Sequence, residues 1–386
     1  MNESYEGREQ SAAKHEILRT YLQRLAYKVG LSSPGVTLNY VDAFAGPWQS
    51  KLADLSDTSP AIALRTLLDV QADLRKHQRD VHVRAFFVSR EAAGVSQLAS
   101  LRERFPGADI VVVESEFEGA LDRARRFLRE GPNPFGFVFI DNTGWTGFGL
   151  RAITPLLREG RNEVLINFMT DYIKRFANED DALYSASIDR LYGDASCRNE
   201  WRGLTGAERE DQMLATYCRC VRNAGSYRHC ISTVVLKPTE DRTYFHLVYG
   251  TNSDEGLVTF RDVEKRGIEF QRRERAEAKQ RKRVARTGVG ELFPATASTP
   301  PRTYEDALRE RYVARAYELL DALLVTRPVV AWDEMVLAAL QVPMVHEGHV
   351  KEWLRRRVEL NTVVVEGLSE RDRVPKRKHG HRVRRL

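Results

Sequence analysis

Two stretches of the chain bring reactive side chains to places where a turn could present them. In Tyr40-Val41-Asp42-Ala43-Phe44-Ala45-Gly46-Pro47-Trp48, an apolar run from Val36 delivers an acid into small residues and a glycine, the pattern of a buried strand ending in a tight, ligand-facing turn. Asp141-Asn142-Thr143-Gly144-Trp145 closes a second apolar run, FGFVFI. In open α/β sheets, ligands bind at the carboxyl ends of strands where the strand order reverses. Small residues there let a ligand approach backbone N–H groups, and a carboxylate can hold a cationic amino group. A dinucleotide fingerprint needs Gly-x-Gly-x-x-Gly and an acid about 20 residues on. The lone Gly46 disfavours nicotinamide chemistry.

The elements that would position these residues follow from periodicity. A first helix places Ile17, Leu18, Tyr21, Leu22, Leu25, Ala26 and Val29 on one face, so it caps the sheet edge or covers the ligand. Ser59-Pro60 reads as N-cap and first residue of the next helix. Strands at 81–89, 110–113 and 163–168 alternate with helices at 92–105, 117–128 and 150–157. Such alternation implies a parallel, doubly wound sheet with right-handed crossovers. A helical insertion spans about 169–228, and two strands at 230–237 and 243–250 form an antiparallel edge hairpin. A parallel sheet finished by a hairpin points to a class I methyltransferase-like arrangement.

Within that arrangement the expected cofactor is S-adenosylmethionine. Asp42, Phe44, Gly46 and Trp48 would line it at the first strand, with Asp42 holding its amino group directly or through water. The second strand ends in Ser89, so Glu91, two residues on, is the candidate for the ribose hydroxyls, whose two donors match one carboxylate. A helix-initial acid facing the helix dipole explains Glu91 equally well. Glu114 and Glu116 are candidates for the adenine amine, and Glu118 reads as helical surface. Asp141, Asn142 and Trp145 would face the methyl acceptor, accepting hydrogen bonds from an exocyclic amine and stacking its base. The competing readings are a strand-end acid satisfying turn N–H groups for Asp141, and core packing for Trp145.

Composition sets the outer bounds. The chain has 386 residues, 42% hydrophobic and 30% charged, with a net charge of +6, enough for one sizeable α/β domain and a smaller one. The amino-terminal sequence lacks a signal-peptide pattern and no apolar run approaches a membrane span. The expectation is a cytoplasmic protein without membrane contact. Cys197, Cys218, Cys220 and Cys230 form no Cys-x-x-Cys pair, which leaves reduced thiols in a packed insertion or a metal site, with no metal expected.

The positive charge sits late. Residues 271–286 are rich in Arg and Lys, a solvated helix face or a nucleic-acid contact. The domain boundaries expected are 1–290 for the methyltransferase-like domain, 291–302 for a Pro/Ser/Thr linker, and 303–386 for a winged helix-turn-helix-like domain with a basic tail. Its third helix carries Lys351, Arg355, Arg356 and Arg357, the candidate contacts to DNA or RNA. A structural or protein-pairing winged helix has equal standing.

Lys14-His15 with Leu18, YVDAFAGP at 40–47, FVFID at 137–141 and EVLINF at 163–168 together resemble the three-Cys-motif partner protein (TcmP) family of methyltransferase-like proteins; Gly256-Leu257 is a fainter match. The resemblance implies an S-adenosylmethionine-type fold and a companion protein that carries the three-cysteine motif. Family members read Gly-Pro-Gly where this chain has Gly46-Pro47-Trp48, an acid at Ser89, and Asp-Pro-Phe-Gly-Tyr at 141–145. Three changes touch three walls of one pocket. Two outcomes are compatible with them: an enzyme reshaped for another ligand, or a catalytically degenerate scaffold that binds a partner or DNA.

Overall fold

A computed structural model describes residues 5–46, 50, 52, 54–142, 144, 146–176, 182–287, 302–368, 372 and 374–386. Helix α1 (Glu9–Ser32) leads into β1 (Val36–Asp42), α2 (Ser59–Lys76), β2 (Val81–Ser89), α3 (Ala92–Arg104), β3 (Ala108–Glu114), α4 (Phe117–Arg129), β4 (Pro134–Ile140), α5 (Leu150–Leu157) and β5 (Asn162–Phe168). Helices α6 (Thr170–Phe176), α7 (Ala182–Tyr192) and α8 (Gly206–Gly225), with a 3-10 turn at Ala195–Glu200, make the insertion. The hairpin β6 (His229–Leu236) and β7 (Thr243–Thr251) follows, then the long helix α9 (Asp254–Thr287).

The seven strands are ordered β3-β2-β1-β4-β5-β7-β6. β1 pairs in parallel with both β2 and β4, while β7 runs antiparallel to β5 and β6. This is the class I methyltransferase-like sheet, and it reverses strand order between β1 and β4. Burial explains the pattern: every residue of β1 and β5 is buried, as expected for central parallel strands covered on both faces. One core unites α1, α2, α3 and α9 on one face of the sheet. The other packs α4, α5 and the insertion against the opposite face.

Two readings of the sequence change in detail. Thr58, not Ser59, is the N-cap of α2, because the Ser59 hydroxyl is donated to Asp42 at 2.9 Å. The cationic stretch of α9 is neither a free solvated face nor an open nucleic-acid contact along its whole length. Arg275, 3% exposed, is buried and binds Glu305, Asp241 and the Lys237 and Glu240 carbonyls. Arg272 pairs with Asp306, Lys279 with Asp241, and Arg281 with Glu9. These arginines tie α9 to its neighbours.

The carboxyl-terminal segment holds α10 (Tyr304–Thr326), β8 (Val329–Ala331), α11 (Trp332–Ala339), α12 (Glu347–Glu359), β9 (Val363–Glu366) and β10 (Arg382–Arg385). The last strand, read from sequence as part of a basic tail, inserts between β8 and β9 and is antiparallel to both. Val383 alternates with arginines and is fully buried, so the pleat turns the cations outward. Of the expected linker, 291–301 lies outside the described residues.

The segment is anchored to the sheet by a buried ion pair. Arg261 and Glu264, 1% and 2% exposed, meet at 2.8 Å. Arg261 also donates to the Leu340 and Ser232 carbonyls at 2.8 Å each, and the Met344 N–H donates to Glu264 at 3.1 Å. Removing one partner of such a pair strands a buried charge, at about 3–5 kcal/mol. Arg261→Ala is therefore expected to lose about 3–5 kcal/mol in urea unfolding. The double variant Arg261→Met with Glu264→Gln should recover part of that loss; a loss under 1 kcal/mol for Arg261→Ala would remove the pair's anchoring role.

Candidate functional site

The site forms where β1 and β4 part. β1 ends in Asp42 and the chain turns through Ala43, whose N–H donates to the Phe139 carbonyl at 2.9 Å, and Ala45, whose N–H donates to the Val88 carbonyl at 2.9 Å. The turn is thus laced to both flanking strands. Gly46 follows with φ of +142°, a region that disfavours a side chain. Phe44 packs on Phe117 and Phe148, with ring centroids 5.6 and 6.3 Å away.

Asp42 is completely buried. Its oxygens accept from the Phe44 N–H at 3.2 Å, the Ser59 hydroxyl at 2.9 Å and the Tyr40 hydroxyl at 3.3 Å. Burial, and then the negative charge of Asp141, push its carboxyl up to about 7, against the pull of those donors. The carboxylate expected to face the cofactor instead builds the turn from beneath.

Asp141 is half-buried. The Asn167 amide donates to its Oδ1 at 2.9 Å, and the Lys14 ammonium pairs with its Oδ2. Lys14 comes from α1, four residues before Leu18, and its ammonium lies 5.9 Å from the Phe245 ring centroid. The adjacent His15, half-buried, is held well below the ordinary imidazole value, by burial first and by Lys14 and Arg8 next. It meets the Tyr5 hydroxyl at 2.9 Å, and Arg8 pairs with Asp57 at 2.7 Å. Helix α1 therefore covers the switch point as well as the core. Burying Ile17, Leu18, Tyr21 and Leu22 at 2% exposure or less is worth about 1.5–3 kcal/mol per large apolar side chain, ample to hold Lys14 in place.

Asn142 and Asn167 are 3% and 5% exposed, and the Oδ1 of each is buried with no hydrogen-bond partner. The Asn142 amide donates to the Gly144 carbonyl. Unmade acceptors of this kind cost about 1–3 kcal/mol each. Beside the Asp141 carboxylate they make a cluster of acceptors suited to an amine or ammonium.

Ser89 is buried, and its hydroxyl donates to the Glu91 carbonyl at 3.1 Å. Glu91 sits at the N-cap of α3 with its side chain outward, 3.8 Å from Arg90. Glu114, the last residue of β3, and Glu116, at the N-cap of α4, are exposed. Glu118 is not a free surface acid: it accepts from the Gly149 N–H at 2.8 Å and pairs with Arg190 at 2.6 Å, joining α4 to α5 and α7. Trp48 and Trp145 lie outside the described residues.

The sequence reading did not place Lys14, His15 or Asn167 at the site. A cation at position 14 on the same helical face as Leu18 and Tyr21 was the available signal. The cysteines are free, with Cys197 and Cys220 sulfurs 3.4 Å apart. Burial pushes the Cys220 thiol up to about 12. Among the described residues no group of three or more His, Cys, Asp or Glu is placed to hold a metal ion.

No family model and no curated protein matches the chain. Among solved structures it is similar to the CMeT domain of the citrinin polyketide synthase, at 12% identity and a TM-score of 0.28, over 60% of this chain and 52% of that one. It is also similar to a loganic acid methyltransferase with SAH, at 9% identity and a TM-score of 0.32, over 73% of this chain and 91% of that one. The chain spans about half the length of the first. Overlap this loose adds no argument, and the fold rests on the strand order.

Asp42 makes stability depend on pH in a defined sense. Its folded value lies above the ordinary 3.8, at about 7, so between those values the folded chain retains a proton that the unfolded chain has released. The stabilisation is complete below 3.8 and is lost as pH rises toward 7, at up to about 1.4 kcal/mol per pH unit. Asp42→Asn is expected to gain on the wild type as pH rises from 4.5 to 7.5, read from urea midpoints. A difference that does not move with pH would mean Asp42 titrates normally.

Proposed function

We propose that this chain is an S-adenosylmethionine-dependent methyltransferase-like protein of the three-Cys-motif partner type, acting on or near nucleic acid. The observation that carries the proposal is the cluster at the β1/β4 switch point: the Asp141 carboxylate, with the buried, unpartnered amide oxygens of Asn142 and Asn167 beside it. Unpartnered amide oxygens beside a carboxylate suit the N–H groups of a methyl-acceptor amine. The turn at 42–46 would carry its methionine end, with Asp42 supporting from beneath. Glu91, two residues past β2, would take the ribose, and Glu116 the adenine amine.

When bound, S-adenosylmethionine supplies an electrophilic methyl group. The chain's own contribution is at Asp141, which would orient an acceptor amine by accepting its N–H. Lys14 neutralises that carboxylate until the acceptor arrives. Asn142 Oδ1 would take a second N–H, and helix α1 excludes water from above. Phe44 gives an apolar edge to the same space.

A second reading has its own observation. Asp42 has its oxygens satisfied inside the protein, and Asp141 already holds a cation, so both carboxylates have partners without a ligand. That favours a degenerate scaffold that docks a partner.

The nucleic-acid part of the proposal rests on the carboxyl-terminal segment, whose helix and strand order suits a winged helix. Of the four cations singled out on α12, Lys351 pairs with Glu347 at 2.7 Å, Arg356 with Glu352, and Arg357 with Asp321. Arg355 is exposed, as are Arg382 and Arg385 on β10. The contact surface thus shifts from the helix alone toward Arg355 and the last strand. A companion protein with the three-cysteine motif is the partner implied. Among the described residues no helix is long and apolar enough to cross a membrane.

Calorimetric titration with S-adenosylmethionine decides between the two readings. The enzyme reading expects saturable heat, and stabilisation of about 2.7 kcal/mol at 100 times the dissociation constant, both weakened in Glu91→Gln. No heat and no melting shift at millimolar cofactor would leave the scaffold reading. For nucleic acid, duplex binding should weaken with salt at a slope near −0.9 per neutralised phosphate, and Arg355→Glu should flatten that slope by about one unit. A salt-independent affinity would reject the contact.

A further inference from the structure

A cleft opens at the opposite end of the sheet from Asp141. It encloses about 560 Å³, within the 300–1,000 Å³ range of small-molecule sites. It lies where β4 and β5 begin and β7 ends, between α1 and the first turn of α9. Leu25 and Val29 of α1 form one apolar wall, and the half-buried Phe135 ring forms another.

The charges around it are unbalanced. Glu255 meets three cations: Lys378 at 2.8 Å, Lys28 at 3.7 Å, and, behind the lining, Arg377 at 2.9 Å, which also pairs with Asp333 at 3.6 Å. Arg161 stands on the rim, exposed, with its guanidinium 5.6 Å from the Phe135 ring centroid and a hydrogen bond of 2.9 Å to Asn133. Among the described residues no carboxylate lies within ion-pair distance of it. The other acid of the lining, Glu163, is turned into the protein, accepting from the Tyr21 and Thr251 hydroxyls at 2.6 Å each. What faces the cleft is therefore apolar surface under a positive rim.

We infer that this cleft binds a small aromatic anion, with its ring between the α1 face and Phe135 and its negative group against Arg161 and the lysines. A planar body matches the two apolar walls, and a guanidinium already lying near an aromatic ring is placed both to stack on a ring and to pair with an anion. The site is separate from the switch point, so it stands whether or not the chain binds S-adenosylmethionine.

The test uses the full chain and 1-anilinonaphthalene-8-sulfonate, with N-phenyl-1-naphthylamine as the comparator that keeps the rings and lacks the sulfonate. The sulfonate probe is expected to bind one saturable site. Arg161→Glu, and Ser32→Trp at the cleft's exposed edge, should each weaken it by about tenfold or more, as should removal of the sulfonate. Melting temperatures establish that both variants are folded, and Asp141→Asn should leave the probe's affinity unchanged. Absent or non-saturable binding overturns the inference. So does affinity indifferent to Arg161→Glu and Ser32→Trp, or equal affinity for the uncharged comparator.

Discussion

Two carboxylates end up at neighbouring strand termini, and the surrounding structure is arranged to make that tolerable. Asp42 at the end of β1 and Asp141 just past β4 feel each other's charge. The conflict is resolved asymmetrically. Asp42 goes inside, takes three hydrogen bonds and is pushed toward its neutral form; Asp141 stays nearer the surface and receives Lys14. Pairs of acids whose environments pull them apart are how one site obtains two different roles. Here the buried acid shapes the turn, and the half-buried acid is paired with Lys14.

That division depends on α1. Its apolar stripe docks against α2 and α9, and the same rigid helix carries Lys14 and His15 over the switch point. A second buried charge pair, Arg261 with Glu264, does for the carboxyl-terminal segment what Lys14 does for the site. It meets backbone groups from β6 and from the end of α11, so α9 becomes the post to which both parts are tied. The arginines further along α9 extend the same function to α10 and the amino terminus. Part of a basic run in the sequence thus became ion pairs to neighbouring elements, of which Arg275 with Glu305 is buried.

Much of the scaffold was legible in the sequence. The apolar runs and turn residues located β1, β2, β4 and the edge hairpin to within a residue or two, because strand alternation with helices leaves few topologies. β10 was missed because arginines flank its single buried valine, and a four-residue strand earns its place only from the two partners it joins. Ser59 was assigned the wrong partner because an N-cap is a local rule, while its hydroxyl was claimed by an acid 17 residues earlier. Glu118 read as surface for the same reason: Gly149 and Arg190 are distant in sequence.

What the sequence determined by itself was an acid at each of two strand ends, the order of strands and helices, and a late excess of positive charge. Those are properties of residue type and spacing. Only the tertiary structure decided which acid is buried, which is paired, and which cations are spent on internal partners. The physical reason is that burial and Coulomb energy depend on distances between residues far apart in the chain. Lys14 and Asp141 are separated by 127 positions and meet as an ion pair; nothing local to either one fixes that meeting.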